Sequence, residues 1–148
     1  MVGIMSELLE LSVGAKVLEV GAGSGWHAST VAEIVAPSNA SRKLWGHVYT
    51  IEIVPELAVM ARSNVSKAGY GDRVTVIDGN GSAGYTIEAP YDRILVTAAS
   101  PSVPKPLVDQ LKDGGILIIP VGDLYYFQSL RRVRRIKNRM VENDLMGV

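Results

Sequence analysis

Lys16, Val17, Leu18, Glu19 and Val20 form a short apolar run that passes directly into Gly21-Ala22-Gly23-Ser24-Gly25, with glycines at three alternate positions. A buried strand that feeds a helix through such a turn leaves unpaired backbone N–H groups at the turn, and glycine lets that backbone approach a ligand with no Cβ in the way. The spacing constrains the ligand as well as the fold. A dinucleotide fingerprint wants its last glycine at position 26, where this chain has Trp26. The turn therefore reads as a cradle for a nucleoside ligand without a pyrophosphate, such as S-adenosylmethionine.

The rest of the chain alternates strand-like and helix-like runs. Met1, Ile4, Met5 and Leu8 fall at helical spacing and predict an opening helix with one apolar face. Residues 16–20 are the first strand, and Ala28, Val31, Ala32 and Val35 share a face of the helix after the turn. Residues 37–46 form a polar, exposed connection whose Trp45 should be partly buried. A strand at 47–53 follows, then a helix from near Pro55 with Leu57, Met60, Ala61, Val65 and Ala68 on one side, and a strand at 74–77. Residues 91–99 read as a strand, 103–111 as a short helix and 115–121 as a further buried strand. Near-continuous apolar strands separated by helices indicate an α/β fold: a doubly wound, mostly parallel sheet covered on both faces. Beyond Gly122, runs at 127–136 and 139–142 joined at Lys137-Asn138 predict an antiparallel hairpin. The spacing of Phe127, Leu130, Val133 and Ile136 also admits a helix. With 148 residues, 47% hydrophobic, and no repeat or linker, residues 1–148 are expected to form one domain.

Lys plus Arg and Asp plus Glu each number 15, so no global field draws the chain to nucleic acid or an anionic membrane. A local patch would be needed. Arg131, Arg132, Arg134, Arg135, Lys137 and Arg139 crowd together after Tyr125, Tyr126 and Phe127, as nucleic-acid surfaces often do. On a strand these side chains alternate between faces, so the favoured reading is an edge hairpin guarded by charge, and nucleic acid is not an expected partner. The absence of cysteine excludes disulfides and thiolate metal sites and fits a reducing compartment. Residues 1–11 carry Glu7 and Glu10 and lack the basic start of a signal peptide, and no apolar run reaches membrane-spanning length. The expectation is a soluble, cytoplasmic, monomeric protein without a metal.

In a doubly wound sheet, ligands sit beyond the carboxyl ends of the strands at the switch point. Glu52 closes the strand that follows the glycine turn, where a carboxylate can accept both hydroxyls of a ribose. Asp78-Gly79-Asn80-Gly81 places a small polar cluster at the end of the third strand, where an adenine edge would lie; a plain turn would use the same residues.

Several blocks carry a family resemblance. They lie at residues 18–25 (Leu-Glu-Val-Gly-Ala-Gly-Ser-Gly), 52–57 (Glu-Ile-Val-Pro-Glu-Leu), 89–94 (Ala-Pro-Tyr-Asp-Arg-Ile), 97–99 (Thr-Ala-Ala), 111–115 (Leu-Lys-Asp-Gly-Gly) and 119–122 (Ile-Pro-Val-Gly). In order and spacing they resemble the protein-L-isoaspartate O-methyltransferase family across nearly the whole chain. The resemblance implies a Rossmann-like enzyme that transfers a methyl group from S-adenosylmethionine to the α-carboxylate of isoaspartyl residues in damaged proteins, leaving S-adenosylhomocysteine. It implies cofactor contacts from the backbone of Gly21, Gly23 and Gly25, with Glu19 near the amino-acid end and Glu52 on the ribose. The family's third strand ends Gly-Asp-Gly, and here Gly79-Asn80-Gly81 stands in its place. Asn80 keeps an amide oxygen able to accept from the adenine amino group but lacks the charge. Thr97, Ala98 and Ala99 would line the substrate side, although Thr97 is also an ordinary β-branched strand residue.

The family places a Thr-Ile-Ser-x-Pro-His stretch before the equivalent of Met1-Val2, and a Val-Pro-Leu strand after the equivalent of Val148. These 148 residues are therefore expected to hold the cofactor half of the site and little of the substrate lid. The alternative reading is a non-catalytic or altered S-adenosylmethionine-binding module. A methyltransferase acting on RNA is a third, but the Pro-Pro-Tyr-type motif that base-amine methylation needs after the fourth strand is replaced by Thr97-Ala98-Ala99-Ser100. A substrate carboxylate, with a pKa of roughly 3.3 to 3.9, is already ionised at neutral pH. No catalytic side chain is expected, and alignment of the reactants with exclusion of water would supply the rate. His27, just after the turn, reads as a packing or hydrogen-bonding residue rather than a base.

Overall fold

The computed structural model describes residues 1–123 and 125–148. Seven strands form one sheet in the order β3-β2-β1-β4-β5-β6-β7: β1 (Lys16–Val20), β2 (His47–Glu52), β3 (Val74–Asp78), β4 (Tyr91–Val96), β5 (Leu111–Gly122), β6 (Gln128–Ile136) and β7 (Arg139–Gly147). The first five are parallel, and β6 and β7 complete the sheet antiparallel. The chain winds outward from β1 to β3, then returns to β4 on the other side of β1. The carboxyl ends of β1 and β4 thus flank the switch point.

Among the described residues four α-helices cover the sheet: α1 (Val2–Leu8), α2 (Trp26–Val35), α3 (Pro55–Lys67) and α4 (Lys105–Asp109). Alternation along each strand sends side chains to both layers. Val17 and Val48 pack with Ala28, Val31 and Ala61 under α2 and α3, while Leu95, Ile116 and Ile118 meet Met5 and Leu9 under α1. On the opposite face Leu18, Ile51, Ile94 and Leu117 pack with Leu107 of α4.

The predicted face of α2, with Ala28, Val31, Ala32 and Val35, is buried, but α1 and α3 are rotated from the faces that sequence spacing suggests. In α1, Met5 and the following Leu9 are buried, whereas Met1 and Ile4 are exposed. In α3 the buried line is Ala58, Ala61 and Val65, and Met60 faces solvent. Small residues let α3 lie close to its neighbours: a Cβ on Gly25 would come within 3.0 Å of the Ala61 carbonyl. Two boundaries also shorten, β4 to Val96 and the last helix to Lys105–Asp109, which follows Pro104 at its N-cap.

The hairpin forms as a strand pair, excluding the helical alternative. Every residue of β6 from Gln128 to Arg134 has a partner on β5, and the strand also pairs with β7, which runs on to Gly147. Lys137 and Asn138 both take positive φ, as a two-residue hairpin turn of this hand requires. The arginines divide: Arg134 reaches Glu10 beside α1 and Arg131 pairs with Glu142, while Arg135 donates to the Leu111 carbonyl. Trp45 is half-buried against the α2–α3 core. Its Nε1 donates to the Pro37 carbonyl, and the Arg42 and Arg73 guanidinium groups lie over its ring at 5.0 and 4.6 Å. No helix among the described residues is long and apolar enough to cross a membrane.

Candidate functional site

A cleft of about 310 Å³ opens beyond the carboxyl ends of the central strands. Gly21 and Glu52 stand on its wall with Asn80, Gly81 and Ala98, and Ile53, Ser82, Ser100, Pro104 and Leu107 complete much of the lining. Glu52 is only 6% exposed, yet its carboxylate receives no hydrogen bond from the described residues. Beside it Ile53, 67% exposed, offers an apolar platform at the strand tip.

The glycine turn is braced more firmly than a bare loop. The amides of Gly21 and Ala22 both donate to the Ile51 carbonyl, at 2.8 and 3.2 Å, and the Gly25 amide donates to the Ala22 carbonyl. The expectation of uniformly free amides is thus corrected: among the described residues only the Gly23 and Ser24 amides in this turn lack an acceptor. Register explains it, because β1 pairs with β2 up to Val20↔Ile51 and the next amides continue that ladder. Thr97 closes the turn from β4, its hydroxyl donating to the Val20 and Gly21 carbonyls. Gly21 must be glycine here, since its φ is +98° and a Cβ would lie 2.4 Å from Thr97 Oγ1. Gly23 differs: its φ is +52° and a Cβ would meet nothing within 4 Å.

Beneath the turn lies a second, sealed cluster. Glu19 is 1% exposed on the α2 side of β1, where Thr50 Oγ1 donates to its Oε1 at 2.6 Å. Its Oε2 has no hydrogen-bond partner among the described residues, and His27 Nδ1 is 3.6 Å away. His27 Nε2 in turn lies 3.2 Å from Ser6 Oγ on α1. Burial pushes the Glu19 carboxyl up to about 8, against the Thr50 hydrogen bond and with help from the Glu52 charge. Burial likewise lowers the His27 imidazole. Both directions favour a protonated carboxyl facing a neutral ring.

The residues singled out from sequence thus separate into two groups. Gly21, Glu52, Asn80, Gly81 and Ala98 converge on the cleft, whereas Glu19 lies below it and Thr97 acts on the turn itself. Gly23 sits between these groups with its open side unobstructed, and Gly25 starts α2 and borders a separate surface hollow with Trp26 and Tyr70. Asn80 is already engaged, its Oδ1 accepting from both the Ser82 amide and hydroxyl. Ile53 and Ser82 went unassigned in the sequence reading; an apolar residue directly after a strand-tip acid, and a serine two after an Asx residue, were the available signals.

The profile of the protein-L-isoaspartate(D-aspartate) O-methyltransferase family matches residues 1–148. The chain belongs to this family. It is 58% identical over 143 residues to the protein-L-isoaspartate O-methyltransferase of Hyperthermus butylicus, a match covering 97% of this chain and 59% of that protein. It is 57% identical over 147 residues to the Methanopyrus kandleri protein of the same name, covering 99% and 62%. The chain therefore spans about three fifths of the length of these relatives. Among solved structures, a protein-L-isoaspartate O-methyltransferase superposes with a TM-score of 0.87 at 28% identity, covering 99% of this chain and 44% of that one. A Plasmodium falciparum structure described as a family member, in complex with S-adenosyl-L-homocysteine, gives a TM-score of 0.81 at 25% identity, covering 99% and 68%.

Proposed function

We propose that residues 1–148, as one domain, bind S-adenosylmethionine and supply the cofactor half of an enzyme that methylates the α-carboxylate of L-isoaspartyl residues in damaged proteins. The observation that carries this reading is Glu52, a nearly buried carboxylate on the cleft wall that accepts nothing from the described residues. Two acceptor oxygens in that position suit the paired hydroxyls of a ribose. Two further features fit the same ligand. The Gly23 and Ser24 amides are free to donate, and the open side of Gly23 leaves room for close approach. Ile53 supplies an apolar surface for a base.

Asn80 takes a different part from the one its type suggests. With Oδ1 engaged by Ser82, the group it offers is the amide nitrogen, which can donate to a ring nitrogen of adenine but cannot accept from the exocyclic amine. When bound, the cofactor supplies a methyl group on a cationic sulfur, and transfer to a carboxylate neutralises both charges. The chain contributes position: Thr97 fixes the turn, Glu52 fixes the ribose, and Ala98 leaves the substrate side of the cleft open. No side chain needs to take a proton, because the substrate carboxylate is already ionised at neutral pH. The absence of cysteine supports a reducing, cytoplasmic compartment.

Transfer of labelled methyl from S-adenosylmethionine to an isoaspartyl peptide, with the normal aspartyl peptide as control, tests the reading. Labelling of the isoaspartyl peptide alone is the expected result. Heat with S-adenosylhomocysteine but no transfer would favour the binding module instead, and no heat at all would remove both.

A further inference from the structure

The loop between β5 and β6 carries Tyr125, Tyr126 and Phe127 at 89%, 82% and 91% exposure. Phe127 is the chain's only phenylalanine and, among the described residues, its most exposed large apolar side chain. Single exposed apolar residues are ordinary, but three adjacent rings in water mark a contact surface. The loop is held in place at its base. Asp123 Oδ1 accepts from the Tyr125 amide at 2.9 Å, and the Gly122 amide donates to the Ser100 carbonyl at 2.9 Å. Ser100, which also bridges to Val121, lines the cleft. The rings therefore project from a segment tied to the cleft wall, at the same end of the sheet as Glu52.

We infer that this aromatic triplet is a docking surface for an extended segment of the polypeptide substrate, one that carries apolar or aromatic side chains beside the isoaspartyl residue. The inference rests on the methyl-transfer reading given above. A cleft of about 310 Å³ is at the small end of small-molecule sites, so a polypeptide has to run across its mouth. Rings with nothing packed on them take the side chains and backbone of a passing chain without demanding a particular sequence. Among the described residues no cation stands free to draw acidic flanks there: Arg131, the first arginine of β6, is paired with Glu142 at 2.7 Å, and Asp123 at the base of the loop is itself acidic. The surface selects apolar flanks over acidic ones.

The test uses this chain saturated with S-adenosylhomocysteine and two fluorescein-labelled isoaspartyl peptides, one with Leu and Phe flanks and one with Ser and Gly flanks. In the Y125S/Y126S/F127S variant the anisotropy titration should show about tenfold weaker binding of the Leu/Phe peptide, the scale of one lost anchoring contact. The Ser/Gly peptide, the heat with S-adenosylhomocysteine and the sedimentation coefficient should not change. Equal binding of the Leu/Phe peptide by variant and parent, or no binding by either, overturns the inference and leaves the cofactor site standing. So does a parent that sediments as a dimer and a variant that sediments as a monomer with unaltered peptide affinities, because the rings then meet a second copy. If neither protein gives heat with S-adenosylhomocysteine, the underlying reading falls and takes this inference with it.

Discussion

Glu19 and Glu52 stand near the carboxyl ends of adjacent strands, 1% and 6% exposed, and their surroundings divide the site into two regions. Glu52 borders the cleft with both oxygens unclaimed by the described residues, whereas Glu19 is sealed under the turn between Thr50 and His27. Two buried acids of similar accessibility thus have different work. One can be satisfied from outside, and the other is satisfied mainly by keeping its proton. Removing each in turn should separate ligand affinity from fold stability.

Glu52→Ala gives the largest effect. Losing two hydrogen bonds to a charged acceptor, each about 1.5–3 kcal/mol, should weaken S-adenosylhomocysteine by roughly 100-fold or more in calorimetry. The melting temperature should hold, since no partner in the described residues is orphaned. An affinity within threefold of the parent would erase the distinction between the two acids.

Glu19→Gln reads the sealed region. The folded carboxyl titrates near 8 instead of its ordinary 4.5, so between those values the native chain holds a proton that the unfolded chain releases. Glu19's stabilising contribution is therefore fully present below about 4.5 and is lost as the pH rises through about 8. His27, lowered by burial, acts in the opposite sense: its contribution is present above its ordinary value of 6.5 and is lost as the pH falls. Glutamine keeps the acceptor for Thr50 and removes the titration. Unfolding free energies from urea titrations at pH 5, 7 and 8 should fall by on the order of 3 kcal/mol for the parent, whereas the variant, in which His27 still titrates, should rise with pH instead.

What could be read from the sequence follows the same divide. The succession of strands along the chain, the glycine turn, Glu52 at a strand tip and the Lys137-Asn138 hairpin were legible because each rests on local pattern: apolar runs, turn chemistry and a strand-tip acid. Helix rotation was not, because Met5 and Leu9 rather than Met1 and Ile4 face the sheet for reasons of packing across the fold. Nor were the engaged amides of Gly21 and Ala22, which depend on the register between β1 and β2. The link from Glu19 through His27 to Ser6 spans three elements and leaves no spacing signal at all.

Thr97 joins the two regions, because its hydroxyl holds the turn that roofs Glu19 and borders the cleft. Thr97→Ala removes the hydroxyl donor to the Gly21 carbonyl at a partly solvated site, while the Val20 carbonyl keeps the residue-97 amide at 3.0 Å, and should cost about 1 kcal/mol in urea unfolding. S-adenosylhomocysteine affinity should drop only a few-fold, because the backbone ladder to Ile51 remains. A loss comparable to that of Glu52→Ala would mean that the turn, rather than the carboxylate, carries the grip.

The smallest effect belongs to Asn80→Asp, which restores the acidic residue found in the family's pattern. An aspartate can accept from the Ser82 amide and hydroxyl as Asn80 does, so the 3-10 turn at Gly81–Ala83 should persist. The difference lies on the side facing the cleft, where a donor becomes a second acceptor. If the Asn80 amide nitrogen donates to an adenine ring nitrogen, the variant should bind S-adenosylhomocysteine about two- to threefold more weakly, and an analogue carbon-substituted at that ring nitrogen should bind both proteins equally. Tighter binding by the aspartate would instead show that the exocyclic amine is read at this position, and that Ser82 gives way to let it in.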